Sequence, residues 1–141
     1  MSRVDFYVLE NAAASARERF ACKLAEKAYK LGHRIVVRAA DDQHKRQLDE
    51  LLWTFRPGSF VPHGTDPADA NTPVLIATQL DADLHYDVLI NLNKDLPPAT
   101  KNFERIAEVI DQTDEVKTGG RHRFKQYREQ GLDVSSHRIN G

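Results

Sequence analysis

Three consecutive segments near the N-terminus restrict this chain's fold more than anything else in it: an apolar run, a long amphipathic stretch and a second apolar run. Val4 to Leu9, VDFYVL, is β-branched and aromatic between polar residues, the pattern of a buried strand. From Ala13 to Leu31, Phe20, Leu24, Ala28 and Leu31 recur at helical spacing, while Arg17, Arg19, Lys23, Glu26, Lys27 and Lys30 supply a polar surface. Gly32 stops that helix, and Ile35 to Val37 within HRIVVRAA reads as the next strand. Strand, long helix and strand make a parallel βαβ unit with a right-handed crossover, which sets the class as α/β.

The remainder extends the same pattern. Asp41 or Asp42 caps a second helix that runs to about Trp53, with Leu48, Leu51 and Leu52 on its inner edge, and Pro57 and Gly58 end it. Thr72 to Ala77 and Tyr86 to Leu92 are apolar runs of strand length with the two-sided look of central parallel strands. After Pro97 and Pro98, Asn102 to Ile110 fits either a helix, through Phe103, Ile106 and Ile110, or a short strand over 106–110. Asp114 is a suitable N-cap for a terminal basic helix. Gly119 and Gly120 would each cost about 1 kcal/mol in its interior, which allows the helix to start only after them.

At 141 residues the chain fits one domain over 1–141, large enough to bury a core without disulfides. With 20 Lys and Arg against 21 Asp and Glu, the charge argues against a protein that coats nucleic acid with its whole surface. Cys22 is the only cysteine, so neither an internal disulfide nor a thiolate zinc cluster is expected. No stretch approaches a membrane span and no leader pattern opens the chain, so a soluble, cytoplasmic protein with no membrane contact is expected.

Catalytic patterns are missing. Neither G-x-G-x-x-G nor G-x-x-x-x-G-K-[ST] occurs, and ENAAAS follows the first strand where a glycine-rich phosphate loop would stand. Ser59, His63 and Asp66 come from one loop without a G-x-S-x-G elbow, which is weak support for a triad. The six histidines have no compact ligand spacing, and Asp81, Asp83, His85 and Asp87 read as an ordinary polar connection. No enzyme, cofactor or metal is expected.

Two stretches stand out instead. Lys117 to Gly131, KTGGRHRFKQYREQG, gathers Lys117, Arg121, Arg123, Lys125 and Arg128 beside Phe124 and Tyr127 with no acid before Glu129. On a helix, Lys117, Arg121, Phe124, Lys125 and Arg128 fall at i, i+4, i+7, i+8 and i+11, so cations surround a ring on roughly one face. Such a face suits an anionic partner that offers an apolar group, or it is an amphipathic helix that buries both rings. Leu48 to Gly64, LDELLWTFRPGSFVPHG, gathers Trp53, Phe55, Phe60, Val61 and Pro62 around a Pro-Gly turn, either as a binding anchor or as cover for the core and a sheet edge.

Four motifs, FYVLE, LDELLWTFRPGSFVPH, YDVLINL and RHRFKQYREQGLDV, together resemble the chi subunit family of bacterial DNA polymerase III over nearly the whole chain. The resemblance implies a Rossmann-like three-layer α/β/α sandwich with a mainly parallel sheet, no phosphate-binding loop, no catalytic activity, and a strand over 103–110. It implies two protein contacts. Trp53 and Phe60, with Val61, Pro62 and His63 as neighbours, match the family's surface for the small psi subunit, which an alternative helicase partner can also use. Lys117, Arg121, Phe124 and Lys125, with Arg128 added from the helical face, match its site for the acidic C-terminal tail of single-stranded DNA-binding protein. Nucleic acid would then be met only indirectly. The rival readings are a direct single-stranded nucleic-acid module, with Phe124 or Tyr127 stacking on a base, and a nucleotide-using enzyme without a recognisable loop.

Overall fold

The apolar runs become the interior strands of a single parallel sheet. This computed structural model describes residues 2–10, 13–69, 71–81 and 85–140. Its strands are β1 (Arg3–Leu9), β2 (Ile35–Arg38), β3 (His63–Gly64), β4 (Val74–Ala77), β5 (Val88–Asn91), β6 (Arg105–Ile110) and β7 (Asp133–Ile139). They lie in the order β3-β4-β2-β5-β6-β1-β7, with every adjacent pair parallel. Three helices join them: α1 (Ala16–Lys30), α2 (Asp42–Thr54) and α3 (Asp114–Glu129).

Strand alternation divides the core into two halves. Ile35 and Val37 of β2 pack with Ala21, Ala25, Leu48 and Leu52 of α1 and α2, whereas Val36 joins Val4, Phe6, Ile106 and Tyr127 on the opposite face. Two helices therefore cover one face and α3 covers the other, a three-layer α/β/α sandwich of Rossmann-like form. Every residue of β2, β4 and β5 is buried, as two-sided coverage requires. Each fully buried Ile or Leu contributes roughly 1.5–3 kcal/mol, so these strands supply much of the stability.

The expected elements shift at their ends. Asp41 caps α2, its carboxylate accepting from the His44 backbone N–H at 2.8 Å. The ambiguous segment resolves as a 3-10 turn, Thr100–Asn102, followed by the strand β6. At α3 the N-cap is Thr113, not Asp114, while Asp114 and Glu115 place their charge in the first turn beside the positive end of the helix dipole.

Two corrections matter more. α3 runs unbroken through Gly119 and Gly120, so the glycines do not delay its start. A Cβ on Gly120 would lie 2.8 Å from Ile110 Cδ1, and this close approach of α3 to β6 outweighs the propensity cost. The chain also ends in a strand that the apolar pattern did not reveal: β7 pairs with β1 from Arg3↔Asp133 to Leu9↔Ile139 and forms one edge of the sheet. β3 forms the other edge. No helix is long and apolar enough to cross a membrane among the described residues.

Candidate functional site

The basic stretch does not act as one surface. Arg123 and Tyr127 are 3% and 0% exposed and turn inward to Glu108, a β6 residue that is itself fully buried. Arg123 grips the Glu108 carboxylate with two nitrogens at 2.9 and 3.1 Å. The Tyr127 hydroxyl donates to it at 2.7 Å and the Asn91 side-chain amide at 2.9 Å. Burial, and then the Glu108 charge, push the Tyr127 hydroxyl far above its ordinary pKa, so it remains a donor. A buried pair gains little over an apolar substitute, yet loss of one partner typically costs about 3–5 kcal/mol. The rival reading in which Tyr127 stacks on a base loses that ring, and the alternative of an amphipathic helix that buries it holds for Tyr127: it is a core residue that fixes the rotation of α3.

That rotation sets Lys117, Gly120, Arg121 and Phe124 over the sheet. With Phe6 and Val8 of β1, Ile110 of β6 and Ser136 of β7, they line a mostly apolar pocket of about 290 Å³. Phe124 leans on Phe6 with ring centroids 5.1 Å apart, and Phe6 meets Tyr127 edge-on at 5.9 Å. Gly120 supplies depth, since a side chain there would collide with Ile110. Among the described residues, Lys117, Arg121, Lys125 and Arg128 make no ion pair. Lys117 and Arg121 belong to the pocket itself, whereas Lys125 and Arg128 are exposed beyond its lining. An apolar socket with unneutralised cations at its rim can take a ring and hold an anion beside it.

Trp53 and Phe60 form a second feature, on α2 and the turn that follows it. They are 55% and 66% exposed, two of the three large apolar side chains on the described surface, the third being Leu31. Their rings lie 5.8 Å apart, and the His63 ring packs against Trp53 at 4.7 Å. One His63 nitrogen faces the Val61 carbonyl at 2.7 Å and the other the Asp49 carbonyl at 3.0 Å. Val61 is 1% exposed, so it supports the rings from beneath, and Pro62 is half-buried. Glu26 of α1 accepts from Ser59 and Arg56, tying down the turn from which Phe60 projects. Ser59 and His63 are thus engaged separately, and Asp66 accepts from the Ala68 N–H, so no catalytic trio forms.

The carboxyl ends of the central strands, where ligands of Rossmann-like folds bind, carry arginines in place of a phosphate loop. Arg17 donates to the Val109 and Leu92 carbonyls at 2.7 and 3.1 Å, and burial lowers its pKa. Asn11 and Ala12 of the ENAAAS segment lie outside the described residues, as does Asp83 of the acidic connection. Sequence reasoning weighed Asp87 only with Asp81, Asp83 and His85, and missed its meeting with His33 and Glu104 from separate segments.

A family model described as DNA polymerase III chi subunit, HolC, matches residues 1–135. A DNA polymerase III subunit chi of Pseudomonas aeruginosa is 40% identical over 139 residues, covering 99% of this chain and 98% of the relative. One from Escherichia coli is 30% identical over 144 residues, covering 96% and 97%. Among solved structures, T4 UvsW aligns with a TM-score of 0.68 at 12% identity, over 98% of this chain and 41% of that one, which shows a shared fold alone.

Proposed function

Because the chain belongs to the DNA polymerase III chi subunit family, a replication accessory subunit, we propose that it is a non-enzymatic adaptor with two protein contacts. One contact joins it to the clamp loader through a psi-like subunit on Trp53 and Phe60, a surface that a helicase can occupy as an alternative. The other captures the acidic C-terminal tail of single-stranded DNA-binding protein at Lys117, Arg121 and Phe124, with Lys125 and Arg128 extending the field. The chain acts as one domain over 1–141, in the cytoplasm, and meets nucleic acid through its partners.

One observation carries this reading: an apolar socket bordered by Lys117 and Arg121, neither of which has a counter-ion among the described residues. A peptide ending in acids and a phenylalanine presents a terminal carboxylate, further carboxylates and a ring. Phosphates would meet the same cations, but with Tyr127 buried the stretch offers only Phe124 for stacking. Each exposed ion pair contributes about 0.2–1 kcal/mol, so the ring supplies much of the affinity and salt weakens the complex.

Calorimetry with an acidic peptide ending in phenylalanine tests it. The wild type should bind at low salt. Phe124→Ala should weaken binding about tenfold or more, and Arg121→Ala by at most about fivefold, the factor its ion pair implies. No binding at low salt, or tight binding of plain oligonucleotides without partners, would overturn the proposal.

A further inference from the structure

At the amino ends of β5 and β6, away from both contacts, three potential ligands converge. His33 follows α1, Asp87 precedes β5 and Glu104 precedes β6, and their ligand atoms all lie within 4.8 Å of one another. Asp87 is the fixed point. Its Oδ1 accepts the Arg34 backbone N–H at 2.6 Å, while Oδ2 faces His33 Nδ1. Glu104 is aligned beside it because its backbone N–H donates to the Asp87 carbonyl at 2.8 Å. The fold thus presets the residues, much as outer hydrogen bonds preset metal ligands.

Asp87 already faces His33, so the uncompensated charge of the cluster is that of Glu104. Two carboxylates stand side by side on neighbouring chain segments, and Glu104 makes no ion pair among the described residues. A single cation between them would relieve this repulsion. Ligand atoms on a common ion at about 2.1 Å lie at most about 4.2 Å apart. Binding therefore requires the exposed Glu104 side chain to close in and the short His33–Asp87 contact to open to the spacing of two ligands.

We propose that His33, Asp87 and Glu104 form a binding site for a divalent transition metal of the Zn²⁺ class. One imidazole and two carboxylates suit Zn²⁺ better than Mg²⁺, which prefers an all-oxygen shell. Metal at Nδ1 requires the imidazole proton on Nε2, so binding replaces the His33–Asp87 hydrogen bond with two coordinate bonds. The bound ion staples the turn after α1 to β5 and β6 and leaves the α3 pocket unchanged.

Titration of the tag-free full chain with ZnCl₂, followed by calorimetry and by Co²⁺ absorbance, tests the site. One-to-one binding is expected, weakened about tenfold or more in both His33→Gln and Glu104→Gln. His137→Gln, which alters a different His–Asp pair on β7, should bind as the wild type does. MgCl₂ should not compete at equal concentration. Circular dichroism and acidic-peptide binding by the two ligand variants show that they are folded and that their α3 pocket is intact. Absence of saturable Zn²⁺ binding overturns the proposal, as does binding that survives both substitutions or is lost equally in His137→Gln.

Discussion

The α3 pocket and the Trp53–Phe60 platform sit toward opposite edges of the sheet and are built by opposite means. The pocket is concave and draws side chains from β1, β6, α3 and β7, with β1 about a hundred residues of chain from the other three. The platform is exposed and comes from one continuous stretch, the end of α2 and the turn that follows it, held by Glu26 from α1. Five strand spacings of about 4.8 Å put roughly 24 Å of sheet between the β3 and β1 ends where the two features lie. The pocket should therefore fail when distant packing fails, and the platform when its own turn loosens.

The largest test of that contrast is Glu108→Ala. It leaves Arg123 buried without its counter-ion and Tyr127 without its acceptor, so urea unfolding should show a loss of about 3–5 kcal/mol. Peptide binding should fall further than mild destabilisation explains, because α3 loses its rotational lock. A variant of wild-type stability would show that the network does not hold the pocket.

A reciprocal pair of variants is next. Gly120→Val places atoms where Ile110 already lies, costs about 1–3 kcal/mol and should close the socket while Trp53-side binding persists. Trp53→Ala with Phe60→Ala should abolish co-purification with a psi-like partner and leave acidic-peptide binding intact. Loss of both activities in either variant would mean that the two regions are not independent.

The smallest effect concerns acid. Hydrogen bonds from Ser59, then Arg56, hold the Glu26 carboxyl below its ordinary value of 4.5. As pH falls the unfolded chain takes up this proton first. The stabilisation is complete above 4.5 and lost as pH drops through the lower folded value. Trp53 is the only tryptophan, so its emission should change over that window in the wild type and stay flat in Glu26→Gln. A flat wild-type titration would disconnect Glu26 from the platform.

The same contrast explains what the sequence revealed. β1, β2, β4 and β5 were legible because strands covered on both faces read as unbroken apolar runs, and α1 and α2 because their apolar edges recur at helical spacing. The platform was legible because its rings are neighbours in sequence. The pocket was legible only on its α3 side. Phe6, Val8, Ile110 and Ser136 come from other elements, and Ser136 lies on β7, whose alternating polar residues at a sheet edge carry no apolar signal. Arg123 and Tyr127 fall off the predicted cationic face, but the network that holds them was not legible because their partner, Glu108, hides inside the apolar run RIAEVI. The unbroken α3 was missed for a related reason: the room that makes Gly120 necessary is defined by Ile110, a tertiary neighbour that propensity ignores.

The position of β1 has a kinetic consequence. The first strand of the chain pairs only with β6 and β7, so Arg3 must wait for Arg105 and Asp133. During synthesis β1 has no sheet partner until β6, about a hundred residues later, has been made, and such long-range parallel pairing is intrinsically slow. The α3 socket, which needs Phe6 and Val8 beneath it, is complete only once β1 has paired with β6 and β7, so ligand capture there reports that the long-range half of the sheet has closed.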